Sequence, residues 1–228
     1  MGVLEKKQNT MYTEEDLIGK GGKFLVLTAL ETNIFCREKF SEEQKMIASS
    51  AEDFAKEQLK PVSDRLNNVL DEELTRKIFR EIGDLGFLSV DVPEKFGGLE
   101  LDKTTASIVV DCLSKGESAS IMVSISAHTG IAMLPIIWYG NDTQKEKYLP
   151  NMASGKFIGC FALTEPGAGS DVLAASTKAE LNKDKTHYIL NGQKIYITNG
   201  SWADVCIVFA MVGNQYTAFI VEKDYEGF

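Results

Sequence analysis

The sequence predicts an α+β protein: an N-terminal all-α helical domain over residues 41–155, then an antiparallel β domain over 156–228, with a lead segment of residues 1–40 before both. Three observations carry this reading. Apolar residues recur at helical spacing from Ser41 to about Gly155 and alternate with period two after Phe157. Asn-Gly pairs at 191–192 and 199–200 punctuate the second half as turns. Helices first and strands afterwards is the α+β order, not the alternation of a βαβ fold.

The elements follow in chain order. Ser41-Glu42-Glu43-Gln44 is a capping box that satisfies orphan amides at a helix start. Ile47, Ala51, Phe54 and Ala55 then share one helical face, and Pro61 ends that helix or opens the next turn. Asp71 caps a second helix carrying Leu74, Ile78, Ile82 and Leu85, with Gly86 as its stop. Val92 to Gly98 reads as a loop. A third helix runs from about Lys103 to Ser114, and an apolar fourth from about Ser118 to Tyr139. Asp142 caps a short fifth that stops near Pro150. Strands are expected at Phe157–Leu163, Ser176–Leu181, His187–Leu190, Lys194–Thr198, Ala203–Val212 and Tyr216–Val221, with Asn191-Gly192 as a hairpin turn.

Composition narrows the function. The chain has 228 residues, 44% hydrophobic and 25% charged, as in ordinary globular proteins. Its net charge of −9 offers no basic face for nucleic acid and disfavours an anionic membrane. No run approaches the roughly 18 apolar residues of a membrane span. The Phe24–Leu30 run is too short, Met1-Gly2 lacks the Ser or Thr of a myristoylation signal, and the acidic start argues against a transit peptide. Cys36, Cys112, Cys160 and Cys206 are too scattered for a metal or redox motif and read as buried reduced thiols of a cytoplasmic protein.

Several chemistries fail on spacing. Gly22-Lys23 has Leu17 where a P-loop needs glycine, and Val172 stands where a dinucleotide fingerprint opened by Gly167-Ala168-Gly169 needs its third glycine. Ser170 is not in a nucleophile elbow. His187 is expected to face solvent, and His128 to be a hydrogen-bonded core or lining residue, so no metal site is expected. What remains is Phe161-Ala162-Leu163-Thr164-Glu165-Pro166-Gly167-Ala168-Gly169-Ser170-Asp171, a strand entering a loop of small residues. Such a loop frees backbone amides for an anionic or heteroaromatic ligand, and Thr164 and Ser170 flank it as hydroxyl donors. From the residues alone, a plain surface loop, with Ser170-Asp171 capping something local, is the favoured reading.

Leu163 to Asp171, together with Asn191-Gly192-Gln193-Lys194-Ile195-Tyr196-Ile197-Thr198-Asn199-Gly200, resembles the two middle-domain signatures of the acyl-CoA dehydrogenases. Pro93 to Gly98 and Gly140 to Pro150 fit the same family, so the resemblance runs from about Ser41 to the end. Ser126-Ala127-His128 and the long lead are similar to the long-chain and very-long-chain branch.

The resemblance implies an FAD enzyme of the fatty acid β-oxidation type, oxidising acyl-CoA to trans-2-enoyl-CoA. It implies a helical domain, a middle β-domain and flavin at the junction with a C-terminal helical bundle. Phe161, Ala162, Leu163, Thr164, Gly169 and Ser170 match the first flavin-contacting stretch. In it Thr164 matches the residue on the pyrimidine edge, and Ser170 the position that also touches acyl-CoA. Tyr196, Ile197 and Thr198 match the second stretch, the aromatic packing on the ring and Thr198 bonding near N5. The implied partners are acyl-CoA and an electron-transferring flavoprotein, with a homo-oligomer at full length. No residue matches the family's catalytic glutamate, so the chain reads as a fragment ending partway through the β-domain. A non-catalytic flavin- or acyl-CoA-binding remnant, a split-enzyme subunit and an acyl-CoA oxidase relative are the alternatives.

Overall fold

A computed structural model of the protein describes residues 36–228. The Phe24–Leu30 run, the Met1-Gly2 start and Gly22-Lys23 lie outside the described residues. Residues fall into two compact units, Met1–Glu43 and Gln44–Phe228. In the first, Arg37–Lys39 forms a single 3₁₀ turn. Apart from Cys36, Glu42 and Glu43, all that follows concerns the second.

The helices begin where capping chemistry places them. α1 (Glu42–Phe54) continues through a π-helical turn at Ala55–Leu59 and a 3₁₀ turn at Lys60–Val62 that holds Pro61, then into α2 (Ser63–Asn68). α3 (Glu72–Asp84) starts at Asp71, whose side chain accepts from the Leu74 amide at 3.0 Å. It ends at Gly86, where φ is +76°. Its buried stripe is Ile78, Phe79 and Ile82, while the expected Leu85 is exposed. α4 (Lys103–Leu113) is capped by Asp102.

The fourth helix is α5 (Ala119–Ser126), a π-helical turn at Ala127–Met133 and α6 (Leu134–Tyr139) in succession. Pro135 accounts for the π register: it lacks an N–H and its ring crowds the carbonyl one turn earlier. This 21-residue stretch is long and apolar enough, by length and composition, to cross a membrane, which corrects the expectation that none approaches that length. Its apolar run is broken by Ser, His, Thr and Gly but by no charge. Within the protein 44% of its most apolar 18-residue window is buried.

α7 (Asp142–Ala153) corrects two expectations. The cap is Asn141, whose side chain accepts from the Gln144 amide while Gln144 returns a bond to the Asn141 amide, both at 2.9 Å. Pro150 lies inside the helix, not at its end. A proline in the last turn forfeits a single helical bond.

The sheet has five strands: β1 (Gly159–Ala162), β2 (Lys178–Leu181), β3 (Tyr188–Asn191), β4 (Val205–Val212) and β5 (Gln215–Glu222). β4 is central. β5 pairs antiparallel along its whole length, β1 runs parallel to residues 205–208, and β2 takes over in parallel at Met211. The expected antiparallel sheet is therefore mixed. Only neighbours joined by tight turns, β2–β3 and β4–β5, must run antiparallel; β1 reaches β4 through a long crossover. Val205 and Ile207 of β4 pack into a core with Ala132, Met133, Ile136, Leu149 and Met152. Cys206 and Val208 face the other way, with Cys160, Ala162 and Ala203. The cysteines are free; Cys112, Cys160 and Cys206 are buried and Cys36 is half-buried.

Two strand expectations fail together. Asn191-Gly192 is no hairpin turn. The β2–β3 hairpin turns at Asn182 to His187, where the Asn182 side chain accepts from the Thr186 amide at 2.8 Å. Lys194–Thr198 is not a strand, because Tyr196 sits at φ +57°, which an extended chain cannot hold.

Candidate functional site

The loop after β1 and the irregular segment before β4 are brought together. β1 and β2 share one edge of β4, and the chain leaves the sheet between them as the 163–177 loop. Within it Glu165 and Ala168 exchange backbone bonds of 3.0 and 3.1 Å around Pro166-Gly167. The Ile195 amide donates to the Thr164 carbonyl at 2.9 Å. That bond joins the second segment to the first.

A buried charge cluster reinforces it. Glu165 is 3% exposed. Its carboxylate accepts from Lys194 Nζ at 2.8 Å, the Ser176 amide at 2.6 Å, the Ser176 hydroxyl at 2.8 Å and the Thr177 amide at 3.0 Å. Burial works against its charge, but the donors from Lys194, Thr177 and Ser176 outweigh that and hold the carboxyl well below the usual range. Lys194 also donates to the Leu163 carbonyl at 3.0 Å. Gly192 sits so close to Thr177 that a Cβ would lie 2.2 Å from its Oγ1.

The site residues expected from sequence divide into two groups. Phe161, Ala162 and Ile197 turn their side chains into the core, so any ligand would meet them through the backbone. Thr164, Leu163 and Thr198 are half-buried, Gly169 and Ser170 exposed, and Tyr196 is 90% exposed. A Cβ at Gly167 or Gly169 would meet open space, so nothing in the protein itself demands glycine there. Among the described residues, the hydroxyls of Thr164, Ser170 and Thr198 take part in no hydrogen bond.

Thr198 opens onto a groove of about 390 Å³ lined by Met122, Val123, Ser126, Ala127 and Ile131 of α5 and the π turn. Gly169 and Ser170 do not line it. His128, next in the chain to Ala127, is fully buried as expected of a hydrogen-bonded core histidine. Its Nδ1 accepts from the Gly159 amide at 2.9 Å and its Nε2 meets the Met152 carbonyl at 3.1 Å. The ring is therefore neutral with its proton on Nε2. Burial lowers its pKa to about 4. Asn199, at φ +67°, donates to the carbonyls of Ser124 and Gly159 at 2.9 and 3.1 Å, tying the second segment to α5 and β1. His187 is exposed in the hairpin turn.

Sequence reasoning assigned no role to Glu165, Lys194, Asn199 or the groove residues Met122, Val123 and Ile131. A glutamate inside a Pro-Gly-Ala-Gly loop and an asparagine suited to positive φ were the available signals.

Residues 41–156 match the acyl-CoA dehydrogenase N-terminal domain family, and 160–228 match the acyl-CoA dehydrogenase middle domain family. A probable acyl-CoA dehydrogenase of Bacillus subtilis is 44% identical over 211 residues, covering 92% of this chain and 35% of the relative. The structure of an acyl-CoA dehydrogenase complexed with FAD from Bacillus anthracis aligns with a TM-score of 0.85 at 44% identity, covering 91% of this chain and 35% of that one. Butyryl-CoA dehydrogenase from Megasphaera elsdenii aligns at 0.75 and 34% identity, covering 82% and 50%. The chain thus spans between about a third and half the length of these relatives. It belongs to the acyl-CoA dehydrogenase family.

Proposed function

From this membership we propose that the chain supplies the helical and middle β parts of an FAD-dependent acyl-CoA dehydrogenase, one that oxidises the Cα–Cβ bond of an acyl-CoA to a trans-2-enoyl-CoA. The observation that carries the reading is the convergence of the two segments: Ile195 bonds Thr164, and Thr198 opens on an apolar groove.

The residues present fit a flavin. An isoalloxazine needs hydrogen-bonding groups along one edge and flat apolar contact on a face. Thr164, Ser170 and Thr198 offer unengaged hydroxyls, and Tyr196 offers an exposed ring. In this reading Thr164 holds the pyrimidine edge, Thr198 lies near N5, and Ser170 touches acyl-CoA. FAD, when bound, supplies the hydride acceptor. Met122, Val123, Ala127 and Ile131 exclude water from the acyl chain. None of the groove's six lining residues titrates in the physiological range, so the base that takes the α-proton comes from elsewhere.

The finer assignments belong to the same proposal: a role in fatty acid β-oxidation, a long- or very-long-chain substrate, an electron-transferring flavoprotein as acceptor, and a homo-oligomer. The experiment is anaerobic bleaching of the flavin in the natural protein by saturated acyl-CoAs of graded length. The yellow protein is expected to bleach, most readily with the longer chains. Thr198→Ala is expected to bind FAD a few-fold more weakly, since a neutral hydrogen bond contributes about 0.5–1.5 kcal/mol net. Protein that neither takes up FAD nor bleaches with any member of the series overturns the proposal.

A further inference from the structure

Glu165 and Lys194 touch none of the groove, yet they form the most enclosed ion pair among the described residues, with side-chain exposures of 1% and 10%. Burying both charges gains little stability compared with apolar residues of the same size, because desolvation offsets their attraction. Such a pair is best explained by what it specifies. Its partners make the specification concrete. Glu165 lies directly after Thr164 and gathers four donors, one from the second segment and three from Ser176 and Thr177 at the end of the loop. Lys194 lies directly before Ile195, the residue that bonds the Thr164 carbonyl, and itself bonds the Leu163 carbonyl. Three consecutive residues of one segment are therefore gripped by two consecutive residues of the other. The loop's far end is closed onto the same carboxylate.

No other side chain does this work. Glutamine would aim an NH₂ at one of four donors. Aspartate is a methylene too short. Gly192 lets the second segment approach Thr177 closely enough for Lys194 to reach in.

We propose that Glu165 and Lys194 are positioning residues whose ion pair sets the register of the two segments, so that Thr164 and Thr198 address one flavin ring. The claim rests on the flavin reading above for its purpose, but the register itself is a property of the polypeptide.

The test has two arms. In the first, backbone hydrogen exchange is followed on the full chain without cofactor, in wild type and Lys194→Met. The expected result is exchange at least about tenfold faster at Ile195 and across 163–177, with β4 and β5 unchanged, as for a local opening. Ser176→Ala, which removes one donor and is mild enough to keep the fold, is expected to do the same more weakly. Protection at Ile195 within twofold of wild type, or acceleration spread evenly over β1 to β5, overturns the proposal. In the second arm, the natural protein carrying Lys194→Met is titrated with FAD. The visible flavin band is expected to shift and affinity to fall several-fold, while Lys194→Arg, which keeps the charge, restores the band. A wild type that takes up no FAD refutes the flavin reading, and the exchange arm still decides the register.

Discussion

The two ends of β1 are built from the same kind of bond for different ends. Where the strand begins, the Ile158 amide donates to Asp204 at 2.8 Å, the Gly159 amide to His128, and the Gly159 carbonyl accepts from Asn199. Asp204 in turn takes Arg76 from α3 at 2.8 Å and Lys223, just beyond β5, at 2.7 Å. These partners come from widely separated elements. Where the strand ends, the partners of Leu163, Thr164 and Glu165 all come from the loop and from Lys194-Ile195. The entry ties helices to sheet, and the exit ties the loop after β1 to the irregular segment before β4. A buried carboxylate at the first therefore governs the whole fold, and one at the second governs local geometry.

The largest expected effect breaks the entry. Asp204→Ala leaves Arg76 without its buried counter-charge and the Ile158 amide without an acceptor. Removing one partner of a buried pair costs about 3–5 kcal/mol. Denaturant unfolding is expected to show that loss with a single transition, because helices and sheet share the anchor. A loss below about 1 kcal/mol, the level of an ordinary surface change, would erase the distinction between the two ends.

Both ends show what a sequence reveals and what it hides. The start of α3 was legible because Asp71 acts within one turn of itself, while the cap of α7 was misplaced by one residue. The alternation of Val205, Ile207 and Cys206, Val208 was legible because a strand's faces follow from its period. The residues alone suggested a ligand loop after β1 but left a plain surface loop open, and resemblance decided between them and supplied the second segment. The parallel pairing of β1 with β4 is a choice of neighbour, and nothing local encodes it. Glu165, Lys194 and Asn199 act across long stretches of chain, so their spacing carries no pattern. Tyr196 reads as a strand aromatic by composition, and only its backbone angle reveals the turn.

The second effect sharpens the entry by pH. Burial lowers His128 from its ordinary 6.5 to about 4, because the folded protein holds the ring neutral. Between those values the unfolded chain binds a proton that the folded chain does not. Stability contributed by the neutral ring is complete above pH 6.5 and is lost as pH falls toward 4, by roughly 3 kcal/mol in all at about 1.4 kcal/mol per pH unit. Protonated Nδ1 would point a hydrogen at the Gly159 amide, so the strain falls on the start of β1. His128→Gln is expected to flatten unfolding free energy across this window relative to wild type. Equal slopes in the two proteins would mean that the proton goes elsewhere.

The smallest effect belongs to the exit. Tyr196 combines two features that a fold alone does not favour: a bulky side chain at φ +57° and a ring 90% exposed. The left-handed conformation costs a residue of this kind about 1–2 kcal/mol, and an exposed ring recovers little by burial. Asparagine accepts the same backbone angle more readily. Tyr196→Asn is therefore expected to leave the melting temperature unchanged or raise it by the equivalent of at most about 1 kcal/mol. If the ring meets the flavin face as proposed, affinity for FAD is expected to fall in the natural protein. Stability and binding would then move apart, as they do where strain serves a ligand. The same substitution at a packed residue of the entry would move them together. A clear loss of stability in Tyr196→Asn would show that the ring is held by the polypeptide, and its place at the ligand face would have to be given up.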